Sequence, residues 1–273
     1  MSRMINKDTR ICMSLAARPT NFGTRFHNYL YEALELDYLY KAFTTQDLAA
    51  AISGIRALGI RGCGVSMPFK QACIPLIDEL APSAAVIHSV NTIVNNDGYL
   101  TGYNTDYIAI EKLLQKYDVA PQLTFALQGS GGMASAVACA LKNHGFHHGY
   151  IIARDDESGK ALAAAHGYQH RHTMEGVTAD VLINATPLGM AGGPEAETLA
   201  FSSTAITAAQ VVFDVVALPE HTPLIRSARE QNKKVISGAE VFAIQAVEQF
   251  SLYTGVRPSD EHFRQAAAWA RQV

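Results

Sequence analysis

The chain has 273 residues, 48% of them hydrophobic and 17% charged, with a formal net charge of −3 and a pI near 6.4. Enough apolar surface is present to fill the cores of two modest domains, which excludes a disordered chain, and the slight acidity leaves no basic stripe with which to hold nucleic acid. No segment approaches the roughly 20 apolar residues of a membrane span and the polar stretch Met1–Arg10 lacks the apolar core of a secretory signal, so a cytoplasmic protein without a membrane partner is expected.

Thr9–Leu15 reads as a first strand, and the apolar spacing of Phe26–Leu34 as a helix after a polar loop. Tyr38–Phe43 is a second strand, Asp47–Leu58 a helix closed by Gly59, and Gly62–Met67 a third strand stopped by Pro68. Lys70–Leu80 has helical spacing. Val90–Asn95 and Tyr99–Tyr103 then flank Asn96-Asp97-Gly98, a hairpin signal because glycine accepts positive φ. Strands alternating with helices imply a mostly parallel sheet, here with an antiparallel insertion.

Asp106–Tyr117 is helical, and Val119–Gln122 connects it to the strand Leu123–Gln128, where a second unit begins. The apolar runs Gly149–Ala153, Val181–Ala185, Val211–Val216 and Lys234–Ser237 read as further buried parallel strands. Two closing helices, Ala239–Thr254 before Gly255 and Asp260–Gln272, are expected to pack back on the first domain and leave a cleft between the halves. The expected architecture is α/β: a substrate domain from residues 1–105 and 240–273, and a Rossmann-type dinucleotide-binding domain from residues 106–239.

Gly129, Gly131 and Ala134 satisfy G-x-G-x-x-A between a strand and the alanine-rich helix Met133–Lys142. The first glycine permits the tight turn, the second lets backbone approach a pyrophosphate, and the alanine allows close helix packing, while the helix N-terminus attracts the anion. A tight turn without a ligand is the competing reading of the same residues. The position past the second strand decides the cofactor and holds Arg154-Asp155-Asp156. Arginine there meets a 2′-phosphate and an acid the ribose 2′-hydroxyl, so NADP is favoured and NAD left open.

The four cysteines are scattered, which favours buried free thiols over a disulfide framework, and the histidine clusters His147-His148 and His170-Arg171-His172 lack ligands at metal spacing, so no metal is expected. Oxidising a secondary alcohol without zinc requires a side-chain base. Lys70, in Gly64-Val65-Ser66-Met67-Pro68-Phe69-Lys70, and Asp106, in Gly102-Tyr103-Asn104-Thr105-Asp106, are candidates, although an isolated lysine or aspartate is more often a solvated charge.

The ordered set Ser66-Met67-Pro68-Phe69-Lys70, Val90-Asn91-Thr92, Asn104-Thr105-Asp106, Gly129-Ser130-Gly131-Gly132, Asn184-Ala185-Thr186, Thr222-Pro223-Leu224 and Gln245 resembles the shikimate dehydrogenase family from end to end. The resemblance implies an enzyme of the shikimate pathway of aromatic amino acid biosynthesis, interconverting 3-dehydroshikimate and shikimate. Lys70 would be its proton acceptor or donor, with Asp106 beside it, and Ser66, Asn91 and Gln245 would bond the substrate. Gly129, Ser130, Gly131, Gly132, Met133, Ala134 and Arg154 would hold the cofactor, with Thr186, Val215 and Gly238 lining the nicotinamide pocket. The partner is then a small hydroxylated ring acid, and the protein a monomer or homodimer.

The departures fall on substrate binding. In the family a Ser-x-Ser-Pro turn binds the ring carboxylate; aligned on His27, its serine positions hold Asn21 and Gly23 and its proline position Thr24. Carboxylate binding would then come from Asn21, Thr24 or Arg25, residues that read equally well as an ordinary helix cap. An asparagine of the family is Gly64 here and a tyrosine is Ala217. Each lost hydrogen bond to a charged ligand is worth roughly 1.5–3 kcal/mol, so a slow enzyme, a different ring acid such as quinate, or a nucleotide-binding protein without catalysis are the alternatives.

Overall fold

The computed structural model describes residues 5–272; the first four residues of the polar N-terminal stretch and Val273 lie outside the described residues. In chain order the elements are β1 (Arg10–Leu15), α1 (Asn21–Ala33), β2 (Tyr38–Phe43), α2 (Leu48–Ala57), β3 (Gly62–Val65), α3 (Phe69–Ala72), a 3₁₀ turn (Ile74–Leu76), β4 (Glu79–Leu80), α4 (Pro82–Ala85), β5 (Thr92–Asn96) and β6 (Tyr99–Tyr103). They continue with α5 (Thr105–Lys116), β7 (Phe125–Gln128), α6 (Gly132–Asn143), β8 (Gly149–Ile152), α7 (Asp156–His166), β9 (Gln169–Arg171), β10 (Val181–Asn184), α8 (Ser203–Ala208), β11 (Val211–Asp214), α9 (Pro223–Glu230), β12 (Lys234–Ile236), α10 (Gly238–Thr254) and α11 (Asp260–Arg271). Two compact units result, Met1–Thr105 with Gln245–Val273, and Asp106–Ile244.

In the first unit the described residues form a sheet of order β2-β1-β3-β5-β6-β4. β1, β2 and β3 run parallel, and β5 and β6 form the antiparallel insertion. The Asn-Asp-Gly turn closes that hairpin with Asp97 at φ 50° and Gly98 at φ 92°. One expected helix fails. Lys70–Leu80 is helical only to Ala72, because Pro75 lacks the N–H that would continue the ladder, and Glu79–Leu80 pair instead with β6. α1 begins at Asn21, five residues earlier than its apolar spacing starts, with Phe22 stacked on Phe26 at 5.8 Å.

α1 buries Phe26, His27, Leu30 and Tyr31 beside Cys12, Tyr38 and Tyr40 of the sheet, under Phe250 and Tyr253 of α10 and Ala266, Ala267 and Ala270 of α11. The closing helices therefore do return to the first unit. α2 covers the opposite face with Ile52 and Ile55 against Met13, Leu15, Cys63 and Val65.

The second unit carries a wholly parallel sheet of order β12-β11-β10-β7-β8-β9, which reverses between β7 and β10. β10 and β11 are buried along their whole length, the reason they read as unbroken apolar runs. α7, α8, α9 and the polar edge strand β9 had no such signature. The cysteines are free and buried, and no described helix is long and apolar enough to cross a membrane.

His27 sits inside the aromatic core, its ring 4.3 Å from that of Tyr40 and nearly parallel to it. Its Nε2 donates to Gln249 Oε1 at 3.2 Å, and Nδ1 makes no hydrogen bond. Burial, opposed by the Gln249 bond, lowers the imidazole pKa from 6.5 to about 4. Between those values the unfolded chain binds a proton that the folded chain refuses, so acidification from pH 6.5 towards 4 removes stability, by about 3 kcal/mol. Urea unfolding of the first unit, followed by the fluorescence of its single tryptophan, Trp269, is expected to show this fall. The fall should flatten in His27→Phe.

Candidate active site

β3 ends, and the antiparallel β5 begins, at the same end of the first sheet, and that end gathers much of the predicted site. Ser66 N–H donates to Leu15 O at 2.9 Å, Val65 N–H to Asn91 O at 2.7 Å, and Val90 N–H to Lys70 O at 2.8 Å. Ser66 is exposed and Lys70 half-buried in the short α3. The backbone thus ties the lysine turn to the segment bearing Asn91.

Side chains continue the connection. Gln249 Nε2 donates to Thr92 Oγ1 at 3.0 Å, Thr92 Oγ1 to Asn91 Oδ1 at 2.9 Å, and Asn91 Nδ2 to Thr105 Oγ1 at 3.0 Å. Thr105 N–H returns a bond of 2.9 Å to Asn91 Oδ1. With His27 on Gln249, a buried line of hydrogen bonds crosses from α1 to the start of α5. Asp106 follows Thr105 and stands, half-buried, in the first turn of α5, where the helix N-terminus favours a carboxylate. Gln245 is half-buried one helical turn before Gln249.

The three residues read as candidates for the carboxylate lie at the start of α1, Arg25 with its guanidinium 5.0 Å from the centre of the Trp269 ring. Asn21 is exposed, and Thr24 Oγ1 accepts from Ala42 N–H at 3.2 Å, serving the edge of β2. The sequence reading gave no role to Thr92, Thr105 or Gln249. The first two stood inside quoted motifs, and Gln249 repeats Gln245 at helical spacing, so each had a signal.

In the second unit the glycine turn lies where the strand order reverses, the ligand-binding position of doubly wound sheets. Gly129, at φ 120°, is so close to β10 that a Cβ on it would lie 3.0 Å from Ala185 O and 3.3 Å from Thr186 Cγ2. Gly131 caps α6 without a side-chain hydrogen bond, and neither Gly131 nor Gly132 has an atom within 4 Å of where a Cβ would stand. Met133 and Ala134 complete the first turn of α6, with Ala134 fully buried. Open space at a helix N-terminus fits a pyrophosphate. Gly238 lies against the backbone of Val215 and Val216, which a side chain would strike.

Arg154 is exposed just past β8, and both neighbouring acids are engaged. Asp155 Oδ1 caps α7 by accepting from Ser158 N–H at 2.8 Å; Asp156 pairs with Lys160 at 2.9 Å and lies 3.6 Å from His172. Those bonds hold both carboxyls below the usual range.

Asn184, Asp214 and Thr222 form a buried polar knot at the ends of β10 and β11. Asp214 accepts from Thr222 Oγ1 at 2.6 Å, Asn184 Nδ2 at 3.0 Å and Val216 N–H at 3.1 Å. Asn184 Oδ1 in turn accepts from Thr186 Oγ1 at 2.6 Å. Burial raises the Asp214 carboxyl to about 6 against the pull of those donors. No group of three His, Cys, Asp or Glu residues that could hold a metal occurs among the described residues.

Residues 22–93 match the model of the shikimate dehydrogenase substrate binding domain. A shikimate dehydrogenase-like protein of Haemophilus influenzae is 57% identical over 98% of this chain and 99% of its own length. The NADP(+) shikimate dehydrogenase of Chlorobium phaeobacteroides is 37% identical over 84% of this chain and 85% of its own. Among solved structures, a shikimate 5-dehydrogenase-like protein superposes with a TM-score of 0.97 at 57% identity, covering 98% of this chain and 100% of that one. The Thermus thermophilus shikimate 5-dehydrogenase in complex with NADP(H) and shikimate does so with 0.83 at 26%, covering 96% and 99%.

Asp214→Ala, which strips three buried donors of their acceptor, is expected to lower stability by about 2–4 kcal/mol in denaturant unfolding followed by circular dichroism. Asp214→Asn keeps an acceptor for Asn184 and Val216 but loses the one that serves Thr222, and should cost less than Asp214→Ala. Since the folded carboxyl keeps its proton up to about pH 6 while the unfolded one loses it near 3.8, stability from this group falls as pH rises between those values, and Asp214→Asn should abolish that fall.

Proposed function

The chain belongs to the shikimate dehydrogenase family, and on that premise we propose that it is an NADP-dependent oxidoreductase interconverting shikimate and 3-dehydroshikimate. The reading is carried by the bonded line that ends at Thr105, because Asp106 is the next residue and the backbone bonds beside the line tie Asn91 to the Lys70 turn. A bound nicotinamide supplies the acceptor for the hydride of the alcohol carbon. Lys70 takes the hydroxyl proton as the carbonyl forms and returns it in the reverse direction, while Asp106 accepts a hydrogen bond from the reacting group and keeps it aligned.

Ser66, Asn91 and Gln245 bond the ring hydroxyls, with Asn91 already oriented by its partners Thr92 and Thr105. Gly129 to Ala134 receive the pyrophosphate, Arg154 the 2′-phosphate, and Thr186, Val215 and Gly238 border the nicotinamide. Thr186 is fixed for that task by Asn184 and the carboxylate behind it.

A second reading keeps the chemistry and changes the substrate to quinate or another hydroxylated ring acid. It is favoured by the missing side chains at Gly23, Gly64 and Ala217 and by the engagement of Thr24 with β2. Cofactor reduction measured with shikimate and quinate, each with NADP and NAD, decides between the two, and no reduction with either acid would remove both.

Lys70→Ala is expected to lower kcat by about 10²–10⁴-fold while NADP still binds. Arg154→Ala should raise KM for NADP about tenfold or more and leave that for NAD nearly unchanged, an outcome read directly from initial rates.

A further inference from the structure

α1 and the end of α11 border a cleft of about 500 Å³ on the first unit, lined by Thr24, Arg25, Asn28, Tyr29 and Glu32 of α1 and by Trp269 of α11. Three of these side chains already serve the fold. Thr24 Oγ1 accepts from Ala42 N–H, and Asn28 is bonded to the Tyr40 backbone in both directions, Nδ2 donating to its carbonyl at 2.8 Å and Oδ1 accepting from its N–H at 2.9 Å. The Tyr29 hydroxyl donates to Gln265 Oε1 at 3.2 Å.

The two charged side chains have no such engagement. Among the described residues neither the Arg25 guanidinium nor the Glu32 carboxylate makes a hydrogen bond or salt bridge, and Arg25 Nε is buried without an acceptor. Arg25 lies over Trp269, its guanidinium carbon 5.0 Å from the ring centre, and the Tyr29 ring stands 6.3 Å from the same indole at 37°. A guanidinium stacked on an indole keeps the donors at its edge for a carboxylate. Trp269 is 47% exposed, so its ring still has surface for a ligand. Glu32 follows Arg25 on α1 by two helical turns, about 10 Å along the axis, with Tyr29 between them. The cleft therefore offers a cation towards one end, an anion towards the other, and aromatic rings beside them.

We propose that this cleft binds a free amino acid with a flat apolar side chain, its carboxylate on Arg25, its ammonium on Glu32 and its side chain against Tyr29 and Trp269. Charge decides the class. A dicarboxylate would set a like charge against Glu32 and a diamine one against Arg25, whereas a zwitterion satisfies both, and two long side chains leaning inward can reach charges a few ångströms apart. An uncharged ring compound would cover the aromatic surface and leave both charges unpaired. Arg25, a candidate for the ring carboxylate by sequence, thus receives a different carboxylate. The site shares no residue with the bonded line of the active site and holds whether or not the chain is a dehydrogenase.

Trp269 is the only tryptophan of the chain, so its emission reports on the cleft directly. Titrating the full chain with L-phenylalanine, which does not absorb at the tryptophan excitation wavelength, should change that emission saturably. Binding should weaken about tenfold or more for 3-phenylpropanoate, which lacks the ammonium, for 2-phenylethylamine, which lacks the carboxylate, and for glycine, which keeps both charges without the ring. Arg25→Gln should weaken phenylalanine and phenylpropanoate but not phenylethylamine, and Glu32→Gln phenylalanine and phenylethylamine but not phenylpropanoate. The analogue series needs no variant, so a variant that fails to fold leaves the test standing. No saturable change at millimolar phenylalanine, or equal affinity for phenylalanine and its analogues, would overturn the inference. So would an emission that shifts with protein concentration alone while sedimentation shows a dimer, since Trp269 would then be a contact between two copies.

Discussion

The first unit depends on the buried hydrogen-bonded line His27–Gln249–Thr92–Asn91–Thr105. Polar side chains are tolerated in such a core when they find partners, and here three of the four links join separate parts of the fold: α1 to α10, α10 to β5, and the residue before β5 to the start of α5. The line therefore sets more than five side chains. It fixes how the returning C-terminal helix lies on the sheet, which amide orientation Asn91 presents, and where the helix carrying Asp106 begins. Removing a partner that leaves a buried donor or acceptor unpaired costs about 1–3 kcal/mol. His27, kept neutral by burial, anchors the far end without bringing a charge into the aromatic core.

The second unit solves a different problem. Near its glycine turn and strand ends, backbone approaches backbone closely. Gly129 approaches Ala185 and Thr186, and Gly238 approaches Val215 and Val216, so that strand ends without long side chains stand close enough to build one surface. The polar support lies beneath, in the Asp214, Asn184 and Thr222 knot. Asp214 is a buried acid whose proton burial retains to about pH 6, although its three donors pull the other way.

The positions where this chain departs from its family acquire a physical meaning from their neighbours. Gly23 and Gly64 are far apart in sequence, yet both border the Tyr40 phenol, so two separate losses of a side chain become one change of shape. The acids beside Arg154 are likewise placed by their neighbours. Asp155 caps a helix and Asp156 pairs with a lysine, so neither carboxylate beside Arg154 is idle.

Much of the architecture was legible because it is encoded locally. The alternation of strands and helices, the Asn-Asp-Gly hairpin, the glycine turn between β7 and α6, and the Lys70 and Asp106 motifs all rest on residues a few positions apart. Reading failed where local signals compete or are absent: Pro75 cut the helix expected over Lys70–Leu80, β9 is too short and polar for a strand signature, and α7 was announced only by the caps Asp155 and Gly167. What the sequence by itself determined is the order of elements and the chemical types available at each strand end. Tertiary structure alone decided which of them meet: His27 bonds a residue 222 positions away and Gln249 one 157 positions away. A hydrogen bond depends on position in space, and periodicity along a chain carries no information about separations of that length.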